Sequence, residues 1–467
     1  MEASIQLLAR RSGQQSNAIP SALISFVLLA LLWLVGCGPS GVVPPAESAP
    51  IALIGGVLLD GKGEAPVPDS IVVIEGGKIR AAGPRSLTPV PKGAERIDVS
   101  GKYVIPGLID LHVHLGSRAG AQYVASAYTR ERVEKNLQAY LYFGVTAVRS
   151  LGIDRDAIFP IRADARTAKI LSPHLFTVGR GFTAPNGHPT QEVGAVARQV
   201  ETPEEAVRQV QELASQQVDG IKMWVDTLNN TLPSIRLDVC RAIIEEAARH
   251  SIPVAAHIYS QADTRALVGF GIHDFVHMIR DVETVDPALV ATLRERRTVF
   301  APTLIRQELA WFYSEHPERL ADPDVARTMD ADVIDAARAA KPSPDPVARR
   351  EFDLAMKNTL ALARAGVPMA VGSDGGSALD FPGLMTHREL ELLVQAGLTP
   401  LEAISAATRH GAACLQGGDD LGTLASGKWA DLVVLSADPL ADIRNTRRIE
   451  RVMLAGRWID RPALRVK

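Results

Sequence analysis

Short apolar runs alternate with amphipathic stretches through the middle of the chain, the pattern of parallel strands buried on both faces and joined by helices. The runs are Val104–His114, Gly144–Arg149, Leu175–Val178, Gly220–Val225, Ile252–His257, Asp274–His277, Thr298–Pro302 and Val367–Val371. They fit the eight strands of an α/β fold of the (β/α)8 TIM barrel type. Helix starts are marked by Thr202-Pro203-Glu204-Glu205 and Thr399-Pro400-Leu401-Glu402, each a capping threonine before a proline with a glutamate three positions on. After the seventh strand, Asp322 to Arg350 is charged and alanine-rich, which predicts a solvated helical excursion, with a lid as the alternative. Before the barrel, β-branched runs such as Ile71-Val72-Val73-Ile74 are separated by glycine turns such as Glu75-Gly76-Gly77-Lys78. Ala430–Leu435 and Arg451–Gly456 repeat that character near the end. Residues 51–104 and 418–467 are therefore expected to pair into one small β-sandwich, with the barrel, 105–417, inserted between them.

Composition adds limits. With 467 residues, 46% hydrophobic and 22% charged, the chain can bury one large core and a smaller one. A net charge of -3 and no basic stripe interleaved with aromatics argue against nucleic acid as a partner and for a small-molecule substrate. The three cysteines, Cys37, Cys240 and Cys414, are too few for a disulfide framework, and the latter two read as core thiols. At the amino terminus, Arg10 and Arg11 precede an apolar run from Ala22 to Val35 that is short for a membrane span and reads as an export signal, with a simple membrane anchor as the alternative. Leu34-Val35-Gly36-Cys37 resembles the lipobox of bacterial lipoproteins. That resemblance implies a signal peptide over residues 1–37 ending in the lipobox cysteine, with cleavage before Cys37, which is lipidated and becomes the first mature residue, and with more than one acyl chain needed for firm anchoring. Gly38 stands where the inner-membrane retention aspartate would be, so a periplasm-facing lipoprotein of the outer membrane, or of the cell surface, is expected. Residues 38–50 then form a flexible tether. A homo-oligomer is compatible with the sequence but not specified by it.

The candidate chemistry lies late on the strands, where a β/α barrel keeps its active site. His112 and His114 are two apart and share a face; Lys222, His257, His277 and Asp374 end four other runs. A lone His-x-His is weak, but buried imidazoles, an amine and a carboxylate at one barrel end are costly unless something binds them. Two divalent metal ions, expected to be Zn2+, supply the compensation. An ammonium at Lys222 would repel them, whereas an amine carboxylated by carbon dioxide would bridge both; the alternative is an ion pair with Asp219 or Asp226. His273 and His277 share parity, and His277 is chosen because it lies nearer the carboxyl end. The same parity places Trp224 and Tyr259 at the mouth, with packing an equal reading for Trp224. Ions roughly 3.5 to 4 Å apart share a hydroxide, and Asp374 is placed to move its proton to the leaving amine, or to serve as ligand alone.

Val104-Ile105-Pro106-Gly107-Leu108-Ile109-Asp110-Leu111-His112-Val113-His114 resembles the opening of the amidohydrolase superfamily. Leu421–Leu424 through Gly427–Leu435 is similar to its closing β segment, and Glu402–Thr408 to the helix before it. Within the superfamily, the chain resembles the imidazolonepropionase-related branch that includes binuclear Xaa-Pro dipeptidases and carboxypeptidase-like enzymes. Those carry a carboxylated lysine on the fourth strand, which Lys222 matches; imidazolonepropionases use one metal and lack it. The loop from Gly179 to Pro189 resembles the branch's third-strand loop, which implies that His188 polarises the substrate carbonyl; a surface histidine is the alternative. Departures are His257-Ile258-Tyr259-Ser260 for the relatives' His-x-His-Gly, Val276-His277-Met278 for Glu-His-Gly, and Arg149-Ser150 for Arg-Asp. The resemblance implies a lipid-anchored metallohydrolase cleaving an amide in a dipeptide or N-acyl amino acid. A lactonase or organophosphate hydrolase is the enzymatic alternative, and a non-catalytic metal-binding surface lipoprotein the alternative of another class.

Overall fold

Parallel pairing dominates the middle of the chain. The computed structural model describes residues 49–120, 122–342, 346–376 and 379–466; the expected signal segment, Cys37 and most of the tether lie outside them. Strands β1 (Leu108–Val113), β2 (Val145–Ser150) and β3 (His174–Thr177) form one parallel sheet. Strands β4 (Ile221–Val225), β5 (Val254–Ile258), β6 (Asp274–Val276) and β7 (Val299–Ala301) run parallel in a second. Every residue of β1, β2, β4 and β5 is buried, which is why these strands read as unbroken apolar runs rather than alternating ones.

The expected eighth strand is the least regular. From Pro368 to Gly375 the chain hydrogen-bonds to Phe300 of β7 on one side and to Leu111, His112 and His114 on the other, through single bridges rather than a ladder. Asp110 secures this segment, accepting from the amide of Ser373 at 3.0 Å and from the hydroxyl of Thr386 at 2.6 Å. The arrangement is a TIM-barrel-like α/β fold.

The run Val104–His114 is two strands, not one. Tyr103–Pro106 pairs antiparallel with Leu432–Leu435, and Gly107 turns the chain into β1. A Cβ at Gly107 would lie 2.0 Å from Thr146 Oγ1, so only glycine permits this approach. Leu432–Leu435 also pairs with Ile449–Leu454. A second sheet contains Ile51–Ile54, Ser70–Glu75, Lys78–Pro84 and Glu95–Asp98. Leu53, Val72 and Ile79 from that sheet share one apolar cluster with Val104, Leu432 and Met453.

Both helix starts hold. Thr202 accepts from the amide of Glu205 to open helix Pro203–Ser215, and Thr399 and Glu402 form a full capping box. The excursion after β7 is helical and amphipathic: Pro323–Thr328 and Ala331–Ala339 set Val325, Val333 and Ala337 into the main core, while most of their other positions are exposed to solvent as expected. Arg447 ties it down through Asp322 at 2.6 Å and Asp324 at 3.1 Å. Among the described residues no helix is long and apolar enough to cross a membrane.

Candidate metal centre

Five histidine rings form a continuous chain at the carboxyl ends of the strands. Centroid separations are 5.0 Å for His114 and His112, 5.1 Å for His112 and His277, 4.1 Å for His277 and His257, and 5.1 Å for His257 and His188. Asp374 Oδ1 lies 3.2 Å from His112 Nε2 and 2.7 Å from His114 Nε2. Donor atoms of His112, His277 and Asp374 fall within 4.8 Å of one another, close enough for one cation.

Two of these residues reach the cluster by a route that strand parity does not describe. His277 has φ +66 and Asp374 φ +63, both left-handed. Strand β6 ends at Val276, so the alternation linking His277 to His273 stops before His277; His273 is partly exposed and contacts Asp274 instead. Non-glycine residues in this region are strained, and such strain concentrates at functional sites.

Burial favours the neutral form of four of these imidazoles. It takes His112 and His277 well below the ordinary histidine range, His257 down to about 4 despite the Asp226 carboxylate, and His188, with His257 beside it, down to about 3. Neutral imidazoles are the form that ligates a metal. Their outer atoms are oriented accordingly. His257 Nε2 is 3.0 Å from Asp226 Oδ2, which leaves Nδ1 for a cation. His112 Nδ1 is 3.4 Å from the Thr303 hydroxyl, which itself donates to the carbonyl of Ala301. His114 Nδ1 and His277 Nδ1 are buried without a hydrogen-bond partner.

Lys222 is the anomaly that a metal centre resolves. Its side chain is fully buried and Nζ has no hydrogen-bond partner. The ion pairs open to it in sequence are taken elsewhere: Asp219 by Arg162 and Arg166, Asp226 by His257 and Arg280. Burial lowers its amine well below the usual lysine range, although the Asp374 charge acts the other way, which favours the uncharged form. Gly152 and Gly181 make room beside it, since a Cβ at either would fall within 3.0 Å of Lys222 Cγ. Together with the His112, His277 and Asp374 donors, an orphaned buried amine at the same strand ends is compatible with a metal centre.

The flanking residues divide. Trp224 does not stand at an open mouth; it fills a slot where a Cβ at Gly181 would meet its ring at 2.5 Å, and it packs with Ile153 and Val196. Tyr259 lies under the Arg280 guanidinium, 4.8 Å from its ring centre, and burial with Glu351 nearby raises its hydroxyl to about 12. His188 Nδ1 accepts from Gln191 Nε2 at 2.9 Å, so the ring proton sits on Nε2.

Arg149-Ser150, unexplained in sequence, now has an account. Arg149 of β2 reaches Asp274 of β6 with two hydrogen bonds and donates to the carbonyl of Leu111 at 3.0 Å. Ser150 donates to Asp154, whose carboxyl burial raises to about 6. Sequence reading missed Arg306, whose Nε lies 3.2 Å from Asp374 Oδ2, because no periodicity marks the short helix after β7. It named Asp226 only as a partner for Lys222, though Lys222, Trp224 and Asp226 alternate and parity carries the signal. A second donor group, His273, Asp274 and Cys414, is already charge-balanced by Arg149.

Residues 103–459 match the Amidohydrolase family. Ochratoxinase of Aspergillus niger is 25% identical, covering 91% of this chain and 89% of that one. Imidazolonepropionase of Caulobacter vibrioides is 27% identical over 81% of this chain and 90% of its own. Among solved structures, a prolidase complexed with N-methylphosphonate-L-proline superposes with a TM-score of 0.69 at 26% identity, covering 88% of this chain and 99% of that one.

Proposed function

The chain belongs to the amidohydrolase family, and from that membership we propose a binuclear metallohydrolase that cleaves the amide bond of a dipeptide or N-acyl amino acid. Action on carbon–nitrogen amide bonds follows from the family and from relatives named ochratoxinase, imidazolonepropionase and prolidase. The observation that carries the finer reading is the orphaned amine of Lys222 among neutral imidazoles. Addition of its uncharged nitrogen to the carbon of CO2, with loss of one proton to solvent, would give a carbamate anion able to act as a ligand. His112, His114, His257, His277 and Asp374 complete the donor set, which by its nitrogen content suits zinc. Loading with two divalent cations supplies a water acidic enough to attack near pH 7 and a polarised carbonyl.

The protein's own groups do the rest. Asp374 takes a proton from the attacking water and returns it to the leaving nitrogen. His188 donates from Nε2 to the carbonyl oxygen. Tyr259 stands with Arg280 at the rim. The barrel is proposed to be closed by 368–375 and inserted in a β-sandwich built from both ends of the mature chain. The lipobox supports export and lipid anchoring at Cys37.

Metal analysis together with a panel of dipeptides, N-acyl amino acids, lactones and phosphotriesters tests the reading. Two ions per chain and preferred amide hydrolysis are expected, with both lost in Lys222→Ala. A single tightly held ion with unmodified amine at Lys222 overturns the binuclear site. Faster turnover of lactones or phosphotriesters transfers the assignment to those substrates, and no turnover by metal-loaded protein favours a binding lipoprotein.

A further inference from the structure

Arg306 is a part-exposed cation whose hydrogen-bonding capacity is largely unused. It sits on the helix Leu304–Glu308 directly after β7. That helix is fixed rigidly: Thr303 is fully buried, and the amides of Leu304 and Ile305 donate to the buried Glu389 carboxyl at 3.0 and 2.9 Å. The side chain remains 39% exposed, and only Nε is engaged, on Asp374 Oδ2. No described residue hydrogen-bonds to its two terminal nitrogens. Its charge is felt at His188 as well as at Asp374, so it lies near both proposed reacting groups. The other nearby guanidinium, Arg280, is committed to Asp226, Glu351 and the face of Tyr259.

We propose that Arg306 is the specificity-determining residue that selects substrates bearing a free carboxylate, gripping that group with its terminal nitrogens while the scissile amide lies between Asp374 and His188. The inference rests on the amide-hydrolase reading. A planar guanidinium offers two parallel donors matched to a carboxylate, which neither a lysine nor the neighbouring imidazoles provide. Because Nε already binds Asp374, the substrate anion is positioned relative to the group that moves the proton.

The test compares each N-acetyl amino acid that is hydrolysed with its carboxamide. In Arg306→Ala, kcat/KM for the acid is expected to fall about 10- to 100-fold more than for the amide, chiefly through KM. Arg306→Lys recovers only part, having lost the fork. Equal losses for acid and amide overturn the proposal and leave Arg306 as a partner of Asp374 alone. Calorimetric binding of L-methionine and L-methioninamide to the metal-loaded full chain separates the two levels without turnover. Tighter binding of the acid to wild type, abolished in Arg306→Ala, supports the subsite. Equal binding of both overturns it even where amide hydrolysis stands.

Discussion

Arg149→Met isolates the charge pair beneath the proposed metal centre. Arg149 and Asp274 are 2% and 1% exposed, and the guanidinium makes both a two-point contact with Asp274 and a hydrogen bond to Leu111. Methionine fills similar volume but leaves the Asp274 carboxylate buried with only His273, 3.0 Å away, for a partner. Breaking a buried pair in this way costs about 3–5 kcal/mol. The double variant Arg149→Met/Asp274→Leu removes both charges and is expected to regain most of that loss, since apolar replacement of a whole buried pair is often neutral. The effect depends on pH with a definite sign. Burial alone would raise the Asp274 carboxyl, but the Arg149 charge and the hydrogen bonds from His273 and Arg149 take it below the ordinary carboxylate range. Its folded pKa therefore lies under the unfolded value of about 3.9, so the stabilisation is complete above that pH and disappears as pH falls further. Urea unfolding followed by circular dichroism at pH 7, and then at successively lower pH below about 3.9, measures both points. A variant within about 1 kcal/mol of wild type at pH 7, or a double variant weaker than the single, refutes the argument.

Two further outcomes follow from the site and its scaffold. Asp226→Asn weakens the acceptor that orients His257 through Nε2, and metal affinity measured by competition with a chelator is expected to drop about 10- to 100-fold while the fold persists. Thr399→Ala removes the cap of helix Pro400–Ser405 and half of its capping box; urea titration should show a loss of about 1 kcal/mol, with the substrate profile unchanged.

The strand ends were the most legible part of this sequence. His112, Lys222 and His257 follow apolar runs that burial on both faces forces into plain view, and the structure brings the two histidines together with His114, His277 and Asp374. The two-residue period served only while the chain remained extended. At His277 and Asp374 a left-handed turn, rather than alternation, aims the side chain. The break at Gly107 was hidden because both strands it separates are buried and apolar, so nothing in the pattern changes there; the signal is a glycine facing Thr146 across the next strand. Arg306 and Arg280 come from connections whose path is set by packing, such as the seating of Glu389 under the helix after β7, and no local periodicity encodes it.

The pairing of Tyr103–Pro106 with Leu432–Leu435 sets the timetable on which this molecule is made. A nascent chain presents the early strand, Val104 and Ile105 included, long before the ribosome has synthesised its mate, and no local hairpin can shield it meanwhile. Native closure of that sheet is thus postponed to the end of translation, a high-contact-order step that leaves a sticky edge waiting. A truncation before Leu432 would remove more than a terminal ornament: it would leave the opening segment paired only with Val57–Leu58 and its other edge bare, a template for aggregation.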